Sequence, residues 1–442
     1  MQDKLKQLWL KLRNSDTIFQ TVLGYSLRMA GIFLSFIFTK VVIAVYGIDT
    51  WGRFSLSFTY LFLLTVLTKA GFDMALMRFA SQWQHKDLRV LRGIYIQSLR
   101  FVLPIGLFLS LSLFFCADTL AFWLKKPEMS SDFRWVSLGI LPFSLITVHS
   151  EGLRGLHQVT FYNFAQTVGN FLITLLLLPI FYYFLGNETQ PINIFVLGIT
   201  LVSLLTAWQW LKSIEIREKA VHYFKFSQIK EVAMPMFLSN IIFVAMGYLD
   251  VFILGFYSPE AEIGGYSVAS KLSNVLTIPL FAVSGFVAPK ITAFYNQHQI
   301  KELQQLLLNS SKIVAVTIIP IFIFIAAFPM FLLGLLGIND SQSAEVMIII
   351  AMGYCFNALA GSTDITLQMT GNEKVFRNIA MFSIAINLIL NFILIPIYGT
   401  IGAAYSNLVT VVLWNLLSIV YARKKVGVDT SFIGYYIHNL IK

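Results

Sequence analysis

The sequence predicts an all-α polytopic membrane protein: twelve transmembrane helices in two six-helix lobes related by a pseudo-two-fold axis along the membrane normal. Three observations predict it. The 442 residues are 57% hydrophobic and 12% charged, against about 45–50% apolar and about 25% charged in soluble domains. Apolar stretches long enough to cross a hydrocarbon layer of about 30 Å recur from end to end. The first half of the chain is echoed in the second.

Windows of about 20 apolar residues mark spans at 19–46, 54–78, 93–116, 134–151, 160–185, 192–212, 231–257, 264–290, 311–336, 343–369, 375–397 and 400–422. The basic start, "MQDKLKQLWLKLRNSDTIFQ", leads into an apolar segment too long for a signal-peptide core and without a small-residue cleavage site. It is expected to stay as the first span. Lys and Arg orient the set. Twenty-three of the 32 fall in one series of connections, four (Arg53, Lys125, Lys126, Arg134) in the alternate series, and five (Arg28, Lys40, Lys69, Arg100, Lys271) inside spans. This alternation puts both termini in the cytoplasm and supports the count, since one missed helix would scramble it. The organisation expected is a cytoplasmic N-terminal segment (1–18), a first lobe (19–212), a cytoplasmic inter-lobe loop (213–230), a second lobe (231–422) and a cytoplasmic tail (423–442). The tail, with "VGVDTSFIGYYIHNLIK", suits an amphipathic helix at the interface.

The repeat shows in two places. "YGIDTWGRFSLSFTYLFLLT" (Tyr46–Thr65) pairs with "YSPEAEIGGYSVASKLSNVL" (Tyr257–Leu276), and "RGLHQVTFYN" from Arg154 pairs with "TGNEKVFRN" from Thr370. The offset is about 210–217 residues in both. Six spans per repeat leave both lobes the same way up, a transporter plan with its site expected near the midplane between them.

Several functional classes are excluded by what is missing. Cys116 and Cys355 give no metal spacing or disulfide framework, and the six histidines form no HxxxH or HExxH pattern. The chain has no GxxxxGK[ST] loop and no room for a nucleotide-binding domain. The net charge of +10 is spread between spans, with no basic block or nucleic-acid motif, so no nucleic-acid partner is expected.

Five charges inside spans carry the functional argument: Arg28, Lys69, Asp73, Asp250 and Lys271. Facing lipid, each would cost about 2.5–3.5 kcal/mol, a total near the whole stability of a typical domain, about 5–15 kcal/mol. They must face a wet cavity or one another. Helical periodicity supports a cavity. Thr21, Gly24, Arg28, Gly31, Ser35 and Thr39 share a stripe of span one, and Ser55, Phe58, Phe62, Thr65, Lys69 and Asp73 share one of span two. Ser239, Phe243, Met246, Asp250 and Tyr257 line up on span seven, and Gly264, Ser267, Lys271, Asn274, Ile278, Ala282 and Gly285 on span eight. Arg28 and Lys69 lie about nine residues, roughly 13 Å, from the cytoplasmic helix ends.

Two deep cations with Lys271 above them suit an anionic group, and arginine offers a planar fork matched to phosphate oxygens. The substrate-binding candidates are therefore Arg28, Lys69, Lys271, Ser35 and Asn274. The titratable candidates for ion coupling or gating are Asp73, Asp250 and Asp364. Simpler readings stand beside these. Asp250 with Lys271 reads equally as a buried ion pair. Asp364, near the inner end of span ten, reads also as a cap. Lys40 and Arg78 read as snorkelling ends. His149, Glu151 and Arg154 read as a solvated helix end, and the aromatic excess as lipid-facing packing.

The stretches "KVVIAVYGIDTWGRFSL" (Lys40–Leu56), "AGFDMALMRFASQ" (Ala70–Gln82), "YLDVFILGFYSPEAEIGGYSVASKL" (Tyr248–Leu272) and "LQMTGNEKVFRN" (Leu367–Asn378) resemble the Wzx-type polysaccharide flippases of the MOP exporter superfamily, which also holds MATE drug exporters and lipid II flippases. The resemblance spans nearly the whole chain. It implies a bacterial inner-membrane, non-enzymatic flippase that moves an undecaprenyl-pyrophosphate-linked oligosaccharide from the cytoplasmic to the periplasmic leaflet by alternating access. It implies no cofactor beyond a coupling ion, H+ or Na+, and as partners the lipid-linked oligosaccharide, membrane lipids and polysaccharide polymerase or chain-length machinery. The alternatives are a MATE-like multidrug or cation antiporter and, against the short outer loops, a membrane O-antigen polymerase or ligase.

Overall fold

The computed structural model describes residues 16–431 apart from 85, 187–188, 216–218 and 222, and no strand occurs among them. The expected N-terminal segment and the interfacial helix of the tail lie outside the described residues, save for 16–18 and 423–431. In order the helices are α1 (Asp16–Tyr46), α2 (Ile48–Lys69), α3 (Phe72–Trp83), α4 (Leu88–Trp123), α5 (Met129–Gly155), α6 (Val159–Leu185) and α7 (Pro191–Ser213). They continue with α8 (Phe226–Tyr257), α9 (Glu260–Asn296), α10 (Ile300–Ala327), α11 (Pro329–Leu335), α12 (Ser341–Ala360), α13 (Thr363–Met369) and α14 (Glu373–Val426).

Nine helices among the described residues are long and apolar enough to cross a membrane. Two bent spans, α2 with α3 and the two parts of α8, raise the number to eleven. The 54 residues of α14 would reach about 81 Å if straight, far beyond a hydrocarbon layer of about 30 Å. Gly399 interrupts it with φ 57° and ψ −132°, a conformation that glycine tolerates for want of a Cβ. That makes α14 two spans and the total twelve. The protein is a multi-pass membrane protein.

Span two departs from the continuous helix expected over 54–78. It breaks after Lys69, where Ala70 (φ 39°) and Gly71 (φ 80°) are both left-handed, and α3 leaves at 54° to α2. A Cβ on Gly71 would lie 2.2 Å from the Ala233 carbonyl oxygen. The break is thus seated on the backbone of α8, and only glycine fits there. Span eight has a milder interruption. Residues Asn274–Thr277 form a 3-10 turn within α9, just before Pro279, which has no N–H to continue the α-helical ladder. In α6, Phe164–Val168 form a π-helical turn.

The chain divides into two compact units, up to Ile241 and from Ile242. Each holds the segment that follows its own sixth span in the same way. In the first unit, Arg92 in the first turns of α4 donates to the carbonyls of Ile214 and Lys219, and Gln97 to that of Phe224. In the second, Gln304 of α10 donates to the Asp429 carbonyl (2.8 Å) and accepts from its N–H (2.7 Å). Gln304 stands 212 residues after Arg92, the offset of the sequence repeat.

The aromatic excess is not all lipid-facing. Phe38, Trp51, Phe54 and Phe195 are buried inside the first unit, with ring centroids 5.1–6.4 Å apart. Phe33, Phe108, Phe115 and Phe122 are among the exposed ones. Large rings fill gaps between helices as well as they face lipid, and composition does not distinguish the two uses.

Candidate functional site

Two polar centres stand out, one in each unit. In the first, α1 lies against α6. Gly24 and Gly31 flank Arg28 on one face of α1. A Cβ at Gly24 would sit 2.8 Å from Asn163 Nδ2, and one at Gly31 2.8 Å from the Thr167 carbonyl oxygen. Small residues at this spacing let two helix backbones approach closely. Arg28, exposed between them, donates through Nε to Asn163 Oδ1 at 2.9 Å. Asn163 is buried, and its own Nδ2 donates to the Val159 carbonyl at 2.9 Å.

Lys69 and Asp73 meet across the break in span two, Nζ to Oδ2 at 2.7 Å. Their side chains are 10% and 2% exposed. Lys69 ends α2 and Asp73 lies in the first turn of α3, so each charge opposes the partial charge of its helix end. The second carboxylate oxygen, Asp73 Oδ1, is buried without a hydrogen bond. Next to the pair, Glu151 of α5 lies within electrostatic reach of Lys69 and Asp73. Arg154 contacts Glu151 at 2.8 Å and packs over the Tyr162 ring at 5.0 Å. His149 and Glu151 are therefore not a solvated helix end. His149 is 1% and Glu151 8% exposed, and His149 Nε2 meets Tyr95 Oη at 2.9 Å. Span four continues to Gly155, where a Cβ would come 2.4 Å from the Met77 carbonyl oxygen, so α5 and α3 are packed backbone to backbone there.

In the second unit, the buried Asp250 carboxylate accepts from Asn391 Nδ2 (2.7 Å) on one oxygen and from Tyr266 Oη (2.7 Å) and Asn407 Nδ2 (3.2 Å) on the other. Both oxygens accept hydrogen bonds from neutral donors. Asn391 also donates to Asn387 Oδ1, and Asn387 to Thr410 Oγ1. The side-chain oxygens of Asn391 and Asn407 are buried without hydrogen bonds. Asn387, Asn407 and Thr410 line a cavity of about 260 Å³ whose wall includes Asp364, Tyr354 and Asn357. A carboxylate, a second acid and unpaired amide oxygens form an oxygen-rich environment suited to a hard cation or a proton. No group of three His, Cys, Asp or Glu that could hold a metal occurs among the described residues.

The remaining candidates are dispersed. Ser35 is buried with its hydroxyl bonded to the Ile32 carbonyl of its own helix. Lys271 is half-buried on α9, and Asn274 is exposed in the 3-10 turn, accepting from Thr277. Lys40, Arg78 and Arg100 are exposed. Asn163, Asn387, Asn391 and Asn407 were not singled out in the sequence, although polar residues four apart at 387 and 391 in an apolar span are a readable mark.

The polysaccharide biosynthesis protein family matches residues 17–280, and the MatE family residues 235–393. Among curated proteins, the probable flippase AglR of Haloferax volcanii is 23% identical over 281 residues, 61% of this chain and 56% of that protein. The putative O-antigen transporter of Shigella flexneri is 25% identical over 229 residues, 49% and 52% of the two chains. The chain thus matches about half the length of these relatives. Among solved structures, an inward-facing multidrug resistance MATE family transporter of the MOP superfamily has TM-score 0.76 at 16% identity, covering 92% of this chain and 98% of that one. The lipid II flippase MurJ in an inward closed conformation has TM-score 0.68 at 16% identity, covering 92% and 87%. At these identities the solved structures share the fold.

Proposed function

The chain belongs to the polysaccharide biosynthesis protein family, and on that premise we propose that it flips an undecaprenyl-pyrophosphate-linked oligosaccharide across the bacterial inner membrane by ion-coupled alternating access, with both termini in the cytoplasm. The relatives named as flippases and transporters support a transporter over an enzyme. The observation that carries the reading is Arg28. A guanidinium deep in span one is exposed, its Nε is bonded to a neutral amide, and among the described residues its Nη groups make no hydrogen bond. Such a fork suits the diphosphate of a lipid carrier. Lys69 adds positive charge to the site only where it exchanges Asp73 for the anionic cargo, since the pair itself is neutral. Asp250, with Asp364 on the adjoining cavity wall, is the seat of the coupling ion, Na+ or H+.

Complementation of a flippase-null strain tests the reading. Arg28→Gln is expected to abolish surface polysaccharide at normal protein level, and Arg28→Lys to retain part of it. Full complementation by Arg28→Gln overturns the assignment. A second reading, a MATE-like cation antiporter, draws on the acidic cavity around Asp364. Drug resistance conferred by the gene with no effect on polysaccharide would favour it.

A further inference from the structure

The two deep cations of the first unit have opposite kinds of partner. Lys69 faces a carboxylate and forms a neutral pair. Arg28 faces an amide oxygen and keeps its whole charge. We infer that Asn163 is the positioning residue of an anion site, holding Arg28 so that its Nη1–Nη2 edge meets the phosphate oxygens of the cargo; this rests on the proposed role of Arg28.

Three features support it. First, Asn163 cannot present its other end. Its Nδ2 is committed to the Val159 carbonyl, so Oδ1 is the atom that faces Arg28. Second, the residue is locked from both sides. Gly24 of α1 presses on it, and Thr167 donates back to its carbonyl at 2.6 Å. Third, Asn163 immediately precedes the π-helical turn Phe164–Val168, and such turns occur frequently at functional sites because the extra residue re-aims side chains. Thr167 in that turn also reaches the Leu27 carbonyl and abuts Gly31. The turn therefore fixes the backbone of α1 on both sides of Arg28 as well as its Nε. What remains of the guanidinium is an oriented two-donor edge, the geometry that binds phosphate oxygens bidentately. A carboxylate at position 163 would orient Arg28 equally well but neutralise it, as Asp73 does Lys69. Asparagine is the side chain that orients without discharging.

The test measures binding of geranylgeranyl diphosphate to the detergent-purified full-length protein, with geranylgeraniol as the uncharged control. Asn163→Asp is expected to weaken diphosphate binding by about tenfold or more, because a unit negative charge sits against Arg28. The ion pair gained with Arg28 offsets the lost bond to the Val159 carbonyl, so the melting temperature should stay close to wild type while binding falls, which a merely structural role does not predict. Asn163→Ala, which keeps the charge of Arg28 but releases its orientation, should weaken binding about threefold and leave geranylgeraniol unaffected. Wild-type binding by either variant overturns the inference. Arg28→Gln separates the two levels: if it binds the diphosphate like wild type, the role of Arg28 itself is wrong; if it loses binding while the Asn163 variants do not, only the positioning role fails.

Discussion

Lys69→Met probes the clasp across the broken span. The mutation leaves Asp73, 2% exposed, without its cation, while its Oδ1 already has no hydrogen bond. Removing one member of a buried ion pair typically costs about 3–5 kcal/mol. Loss of the favourable lysine at the end of α2 adds only about 0.3–1 kcal/mol, so the orphaned carboxylate dominates. For a unit of this size each kcal/mol moves the midpoint by about 2–4 °C, giving a fall of roughly 6–20 °C. The assay is thermal unfolding of the detergent-purified protein followed by tryptophan fluorescence. The double variant Lys69→Met/Asp73→Leu removes both charges, and apolar replacement of a whole buried pair is often near neutral. It should recover most of the loss, with a coupling of about 2–3 kcal/mol. A single variant melting within about 2 °C of wild type, or a double variant as unstable as the two singles summed, would refute the reasoning.

Gly71→Ala should be far more damaging than Gly47→Ala. Both positions have positive φ, which costs alanine about 1–2 kcal/mol, but a Cβ at Gly47 meets nothing within 4 Å whereas one at Gly71 meets backbone at 2.2 Å; the same melting assay should show a loss above about 3 kcal/mol for Gly71→Ala. Asp250→Asn should fold normally yet lose the dependence of transport on Na+ or pH in proteoliposomes. Asp250→Leu, which strands the donors Tyr266, Asn391 and Asn407, should also destabilise by about 2–4 kcal/mol.

Twelve spans were legible because hydrocarbon thickness sets a length scale that the apolar windows must meet, and the Lys/Arg alternation checks the count independently. The internal repeat was legible as an offset, and Arg92 and Gln304 keep that offset in the way each unit holds its trailing segment. Deep charges such as Arg28, Lys69, Asp73 and Asp250 were conspicuous because lipid makes them costly. Their partners were harder to read. Asn163 and Asn391 are uncharged, so a search for charges inside spans passes over them, and what marks their role is a neighbour 135 or 141 residues away. The buried aromatic cluster around Phe38 was missed for the same reason, since a phenylalanine facing lipid and one facing another helix contribute equally to composition.

By itself, then, the sequence determined that the chain crosses the membrane twelve times, that its halves repeat, and which charges had to be sheltered from lipid. These follow from transfer free energies, which depend on residue type and window length. Only the tertiary structure decided which charges meet a counter-charge. Lys69 is neutralised by a residue four positions on, across a break that exists because Gly71 sits against the α8 backbone. The charge of Arg28 has no counter-charge at its Nε because the side chain opposite, on another helix, is an amide. A hydrogen bond or ion pair needs contact within about 3–4 Å, and no period in a linear sequence encodes which distant side chain comes that close.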